Sequence, residues 1–190
     1  MAQKWYQKAT VQAALAAGSL ALLAVIIGPL ISGKLQQLPV LFMSWLEPPR
    51  PCGKLAAGKS RYYEAETAKL FGDASVDSQH KGYSGAGYVS GYGHGHSGTG
   101  TTFPVEVPSS GDYPVDLCYG NGNGSTKTLT IYVNEKRLKQ TVLPSDSRWN
   151  LWLTKTEYLP LRPGVNEVSY RKDPSDNGGV NLDFIRVAIE

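Results

Sequence analysis

The sequence predicts an all-β domain of short strands, a sandwich or a barrel, behind a single N-terminal transmembrane α-helix. Three observations carry this. Residues 9–33 run for 25 positions without a charged side chain. After Ser60, apolar residues alternate with polar ones and never sustain helical spacing. Composition agrees, since Gly 21, Pro 12 and Tyr 11 in 190 residues suit turns and strands.

Residues 1–8 form a short tail, and 9–33 read as the membrane helix. At ~1.5 Å per residue the run spans ~37 Å, against a hydrocarbon core of ~30 Å. A cleavable signal peptide usually has an apolar region of only ~7–15 residues. No small-x-small site follows Ile31, so an uncleaved anchor is the favoured reading. Residues 34–60 then combine an apolar segment, broken by Pro39 and carrying Trp45 at headgroup level, with a stiff linker over Glu47–Gly53. The domain boundary falls near Ser60.

Residues 61–190 supply the strands. Phe103, Val105 and Val107 share one face, as do Tyr113, Val115, Leu117 and Tyr119, and Leu129, Ile131 and Val133 make a third set. Turn signals separate them at Ser109-Ser110-Gly111, Gly120 to Gly124, Asn134-Glu135, Arg162-Pro163-Gly164 and Asn177-Gly178-Gly179. The Gly/Tyr/Ser/His stretch from Gly82 to Gly100 is long for a mere connection.

Charge is divided unevenly. Met1–Arg61 holds seven Lys/Arg against one acid, whereas Tyr62–Glu190 holds twelve against fifteen. The domain is therefore mildly acidic and has no basic stripe with interleaved aromatics, which excludes nucleic acid as a partner.

Eight short motifs occur in order: Tyr63-Glu-Ala-Glu-Thr-Ala, Gly82-Tyr-Ser-Gly-Ala-Gly-Tyr-Val, Phe103-x-Val-x-Val-Pro-x-x-Gly-x-Tyr, Leu117-x-Tyr-x-Asn, Ile131-x-Val-Asn, Trp149-x-x-Trp, Leu161-x-x-Gly-x-Asn and Asn181-Leu-Asp-Phe-Ile-Arg-Val. In this order they resemble carbohydrate-binding module families 35 and 6, over roughly residues 61–190. The resemblance implies a jelly-roll-like β-sandwich of two antiparallel sheets that binds glycans without cleaving them. It also implies a domain working outside the cytoplasm, which favours a cytoplasmic N-terminus and a periplasmic or extracellular module. The flanking charges themselves nearly tie.

Glu64 and Glu66 are two apart, so on a strand their carboxylates point the same way and call for a cation. The resemblance places a structural Ca²⁺ there, completed by Asp183, and oxygen ligands suit that ion. Two exposed acids on an edge strand are the plainer alternative. For the sugar, the resemblance offers Trp149 and Tyr92 as platforms and Asn181 as polar contact, with Trp152 filling the core. The sequence departs from the family pattern at Cys118, where a basic residue is common, at Glu135, which replaces a turn glycine, and at the His94-Gly95-His96 insertion.

Other chemistry finds little footing. His80, His94 and His96 lack Cys or carboxylate partners at fixed spacing and read as a solvated loop rather than a metal site. No Gly-x-Ser-x-Gly, no His-Glu-x-x-His and no P-loop appears, and Glu64/Glu66 read as a cation pair rather than glycosidase acids, so no catalytic residue is assigned. Cys52 and Cys118 allow one disulfide, or a free or lipidated Cys52.

Two functions follow. In the first, the chain is an accessory subunit of a membrane complex, photosynthetic or respiratory assemblies among them. Its helix and the Trp45 segment then pack against other integral subunits in the bilayer. In the second, it is a membrane-anchored, calcium-dependent module for cell-wall or surface polysaccharide.

Overall fold

The computed structural model describes residues 50–53, 59–93 and 97–189. The proposed membrane helix 9–33, Trp45, His94 and His96 lie outside the described residues. Among those described, no helix is long and apolar enough to cross a membrane.

The described residues form two antiparallel sheets. In chain order the strands are β1 (Arg50–Pro51), β2 (Ser60–Glu64), β3 (Lys69–Phe71), β4 (Ser75–Asp77), β5 (Tyr88–Ser90), β6 (Gly100–Val107), β7 (Gly111–Gly120), β8 (Lys127–Val133), β9 (Lys136–Leu143), β10 (Trp152–Leu161), β11 (Gly164–Arg171) and β12 (Asn181–Ala188). One sheet runs β1-β10-β7-β12-β5-β4, with β2 also paired to β12; the other runs β3-β6-β11-β8-β9.

Alternation explains the packing. Val115, Leu117 and Tyr119 of β7 face Phe103, Val105, Leu129, Ile131 and Val168 of the opposite sheet in one buried core. The residues between them point the other way, so Cys118 joins Tyr88, Trp152 and Phe184 in a second small cluster on the outer face, with Cys52 and Tyr83 packed against it. β12 is buried on both faces although it carries Asn181, Asp183 and Arg186, the last paired with buried Asp116.

The domain begins earlier than the expected boundary at Ser60. Arg50 and Pro51 pair with Thr154 and Leu153 of β10, and the Cys52 N–H donates to the Trp152 carbonyl at 3.0 Å. This part of the linker is thus an edge strand, and it brings Cys52 to within bonding reach of Cys118.

The β8–β9 hairpin keeps its two-residue turn although Glu135 stands where glycine is usual. Asn134 and Glu135 both adopt positive φ, +50° and +64°. A non-glycine residue in that region costs about 1 kcal/mol or more. Arg171 meets the Glu135 carboxylate at 2.5 Å and holds its pKa below the usual range.

Candidate functional site

The loop joining β9 to β10 presents Arg148, Trp149, Asn150 and Leu151, which with His80 line an open cleft of about 540 Å³. Ser145 ties this loop to its neighbour: its hydroxyl donates to the Asn121 carbonyl at 2.8 Å and accepts the Gly124 N–H at 3.0 Å. The Trp149 indole is half-buried. Gly122 lies flat against it, and a Cβ there would come within 2.5 Å of the indole Cγ and Cδ1. His80 stacks on the indole, ring centroids 5.2 Å apart and planes 10° apart. On the protein side the imidazole lies near-parallel to buried Tyr88, at 5.9 Å and 19°. The backbone around His80 is fastened by three hydrogen bonds. The His80 N–H donates to the Tyr88 hydroxyl at 3.3 Å, the Lys81 N–H to Asn150 Oδ1 at 2.9 Å, and Trp152 Nε1 to the Lys81 carbonyl at 3.0 Å.

A few residues further on, the same loop gathers three carboxylates. The Ser84 N–H donates to both Asp183 oxygens, at 3.0 and 3.1 Å. The Ser84 hydroxyl donates to Glu64 Oε2 at 2.7 Å, and the Ala86 N–H donates to Glu66 Oε1 at 2.8 Å. Gly85, at φ +61°, is required here, because a Cβ would stand 2.2 Å from Glu66 Oε1. Glu64 ends β2 whereas Glu66 lies in a short 3-10 helix, Ala65–Thr67, so the two are not successive same-face positions of one strand. The loop amides and hydroxyl, rather than strand alternation, bring them together.

Among the described residues no Lys or Arg forms an ion pair with these three carboxylates. Asp183 is 1% exposed. Burial pushes its carboxyl up to about 7; the Ser84 N–H opposes this, Glu64 adds to it, the Ser84 hydroxyl opposes it, and Glu66 adds to it. Glu66 Oε2 is buried with no hydrogen-bond partner. Among the described residues no three His, Cys, Asp or Glu side chains stand close enough to chelate a metal as they are placed. Their chemistry nevertheless fits a hard cation: an all-oxygen donor set, an orphaned buried oxygen and a carboxyl raised by burial, with its acidic neighbours adding to the rise. Burial and the unmatched charge weigh more here than side-chain spacing, because Ser84 and Ala86 hold each carboxylate on the loop.

The remaining sequence-predicted residues fall as follows. Tyr92 is not a sugar platform. It is fully buried, its hydroxyl 2.8 Å from Thr101 Oγ1 and 3.2 Å from the Tyr170 carbonyl oxygen, and it packs in the main core. A glycine-flanked tyrosine in a long loop gave no sign that its ring would turn inward. Asn181 is 7% exposed; it pairs with Gly120, whose other neighbour is Trp152, which sets it beside the second cluster. Trp152 is buried, as expected. Cys52 and Cys118 are bonded, S–S 2.06 Å, with Cys118 Sγ 3.4 Å from Asp183 Oδ2. Sequence reasoning overlooked Arg148 and Asn150, although both flank Trp149, and it read His80 as part of a solvated loop rather than as a stacking partner.

Comparison with known proteins gives a consistent picture. The family described as carbohydrate binding module (family 35) matches residues 61–189. The 1,6-alpha-glucosyltransferase of Sporosarcina globispora is 45% identical over 132 residues, covering 66% of this chain and 10% of that enzyme. A family 35 carbohydrate binding module from Clostridium thermocellum superposes with a TM-score of 0.64 at 28% identity, covering 70% of this chain and all of that one (100%). The isomalto-dextranase of Arthrobacter globiformis T6, solved with panose, gives a TM-score of 0.64 at 28% identity over 67% of this chain and 23% of that one. The chain thus spans only about a tenth of the length of the transferase it matches.

Proposed function

The chain belongs to family 35 of the carbohydrate binding modules over residues 61–189, and from that premise we propose that it is a non-catalytic binder of α-linked gluco-oligosaccharides, 1,6-linked chains foremost. The single observation behind this reading is the cleft at Trp149, where a half-exposed indole is held rigidly among polar groups. An indole face takes the C–H side of a pyranose, and the Asn150 amide and Arg148 guanidinium are suited to hydroxyl acceptors. The linkage preference is supported by the names of two relatives, a 1,6-alpha-glucosyltransferase and an isomalto-dextranase.

In this reading Glu64, Glu66 and Asp183 hold a calcium ion that neutralises their mutual repulsion and fixes the loop at Ser84–Ala86. The uncharged run 9–33 anchors the module to a membrane, with the sandwich on the extracytoplasmic side. The accessory-subunit alternative draws on that run and on the Trp45 segment, both outside the described residues.

The test is binding of the full chain, in mild detergent with calcium, to dextran and to a β-glucan by affinity electrophoresis, beside Trp149→Ala. Retardation by dextran, lost in Trp149→Ala, supports the proposal. Retardation by neither polymer, with stoichiometric co-purification of integral membrane subunits, favours the accessory-subunit reading instead.

A further inference from the structure

The His80 imidazole occupies a position that its sequence context does not announce. It lies between two aromatic rings, near-parallel to both: Tyr88 at 5.9 Å and Trp149 at 5.2 Å. Tyr88 is fully buried and packs in turn on Trp152, centroids 5.2 Å apart. A ladder of rings therefore runs from the second cluster out to the cleft, with Trp149 as its last rung. The hydrogen bonds on either side of His80, to Tyr88 from its own N–H and through Lys81 to Asn150 and Trp152, fix the backbone that carries it. Among the described residues His80 is the ring that stacks on Trp149, whose ring otherwise has Gly122 against it.

We propose that His80 is the positioning residue of the Trp149 indole, holding the ring in the orientation it presents to the ligand. This rests on the reading of the cleft as a glycan site, and it adds to that reading the residue that sets the platform. The contact is one of ring on ring, so a flat aromatic substitute serves and an aliphatic one does not. An aromatic pair contributes enough to move an equilibrium by about three- to tenfold. That is the loss of dextran affinity expected on removing the imidazole.

The experiment uses the full chain in mild detergent with calcium, as wild type, His80→Ala, His80→Phe and Trp149→Phe. Each is measured for dextran affinity and for its near-ultraviolet circular dichroism without ligand, with the Trp149→Phe difference isolating that indole. The expected result is that His80→Ala loses the Trp149 component and about three- to tenfold in affinity, while His80→Phe restores both. Unchanged Trp149 dichroism in His80→Ala overturns the proposal, as does His80→Phe behaving like His80→Ala. If the wild type binds no dextran, the glycan reading falls, and the ligand-free dichroism of the same variants still decides the role of His80. Equal melting temperatures of His80→Ala and His80→Phe, with only His80→Ala losing the Trp149 signal, separate positioning from general stability.

Discussion

Removing divalent cations from this protein should make its stability fall as pH rises. An unfolded aspartate ionises at about pH 4. In the fold, Asp183 keeps its proton up to about 7, because it is buried and faces Glu64 and Glu66. Between those values the folded state binds the extra proton. The stability contributed by Asp183 is therefore fully present below about pH 4 and is lost as pH climbs through 7. A displacement of about three pH units at ~1.4 kcal/mol each gives a loss on the order of 4 kcal/mol. At ~3–5 °C per kcal/mol for a domain of this size, the melting temperature should drop on the order of 12–20 °C between pH 4 and 8 in a chelator. Differential scanning fluorimetry over that range reads it directly, with Asp183→Asn as control. Asparagine preserves the shape and can still accept the Ser84 N–H, so its pH slope should be nearly flat. Added calcium should raise the wild-type melting temperature most at the alkaline end, where the carboxylates are free to bind it. A melting temperature that is level or rising with pH in the chelator, or a slope equally steep in Asp183→Asn, would refute this account of the cluster.

Three further outcomes follow from the geometry. Gly122→Ala places a methyl group 2.5 Å from the indole of Trp149; dextran affinity by titration calorimetry should fall about tenfold, at a stability cost of only ~1 kcal/mol. Tyr92→Phe leaves Thr101 Oγ1 and the Tyr170 carbonyl without its hydroxyl, so urea denaturation should show a loss of ~1–2 kcal/mol while dextran affinity stays that of the wild type. Replacing both Cys52 and Cys118 by serine opens a covalent loop with a sequence separation of 66, and unfolding free energy in urea should fall by ~2–4 kcal/mol.

The strands were legible because their alternation is regular. Phe103, Val105 and Val107, and Val115, Leu117 and Tyr119, point inward as their period of two requires. The Asn134-Glu135 turn was legible as a turn, but the price of its glutamate was not, since Arg171, which holds that side chain, is 36 residues away. The carboxylates were readable as a set only through family resemblance. What assembles them is Ser84 to Ala86, two backbone amides and one hydroxyl whose directions are set by the path of the loop. Tyr92 and His80 mark the limit more sharply. Both lie on the polar, glycine-punctuated stretch between β4 and β6, and only the folded path decides that one ring enters the core and the other stacks on Trp149. Likewise β1 is two residues of a proline-rich segment, and its pairing with β10 is a property of the sheet edge rather than of the segment.

The bond between Cys52 and Cys118 also decides how the module carries tension. A pull applied from the N-terminal side enters at β1 and meets the disulfide two residues later. From there it passes into β7, which is hydrogen-bonded along both edges, to β10 and β12. The intervening residues are bypassed covalently by the Cys52–Cys118 bond. A load that enters from the N-terminal side is therefore carried by the sheet, and the covalent segment between Cys52 and Cys118 is not drawn out while that bond holds.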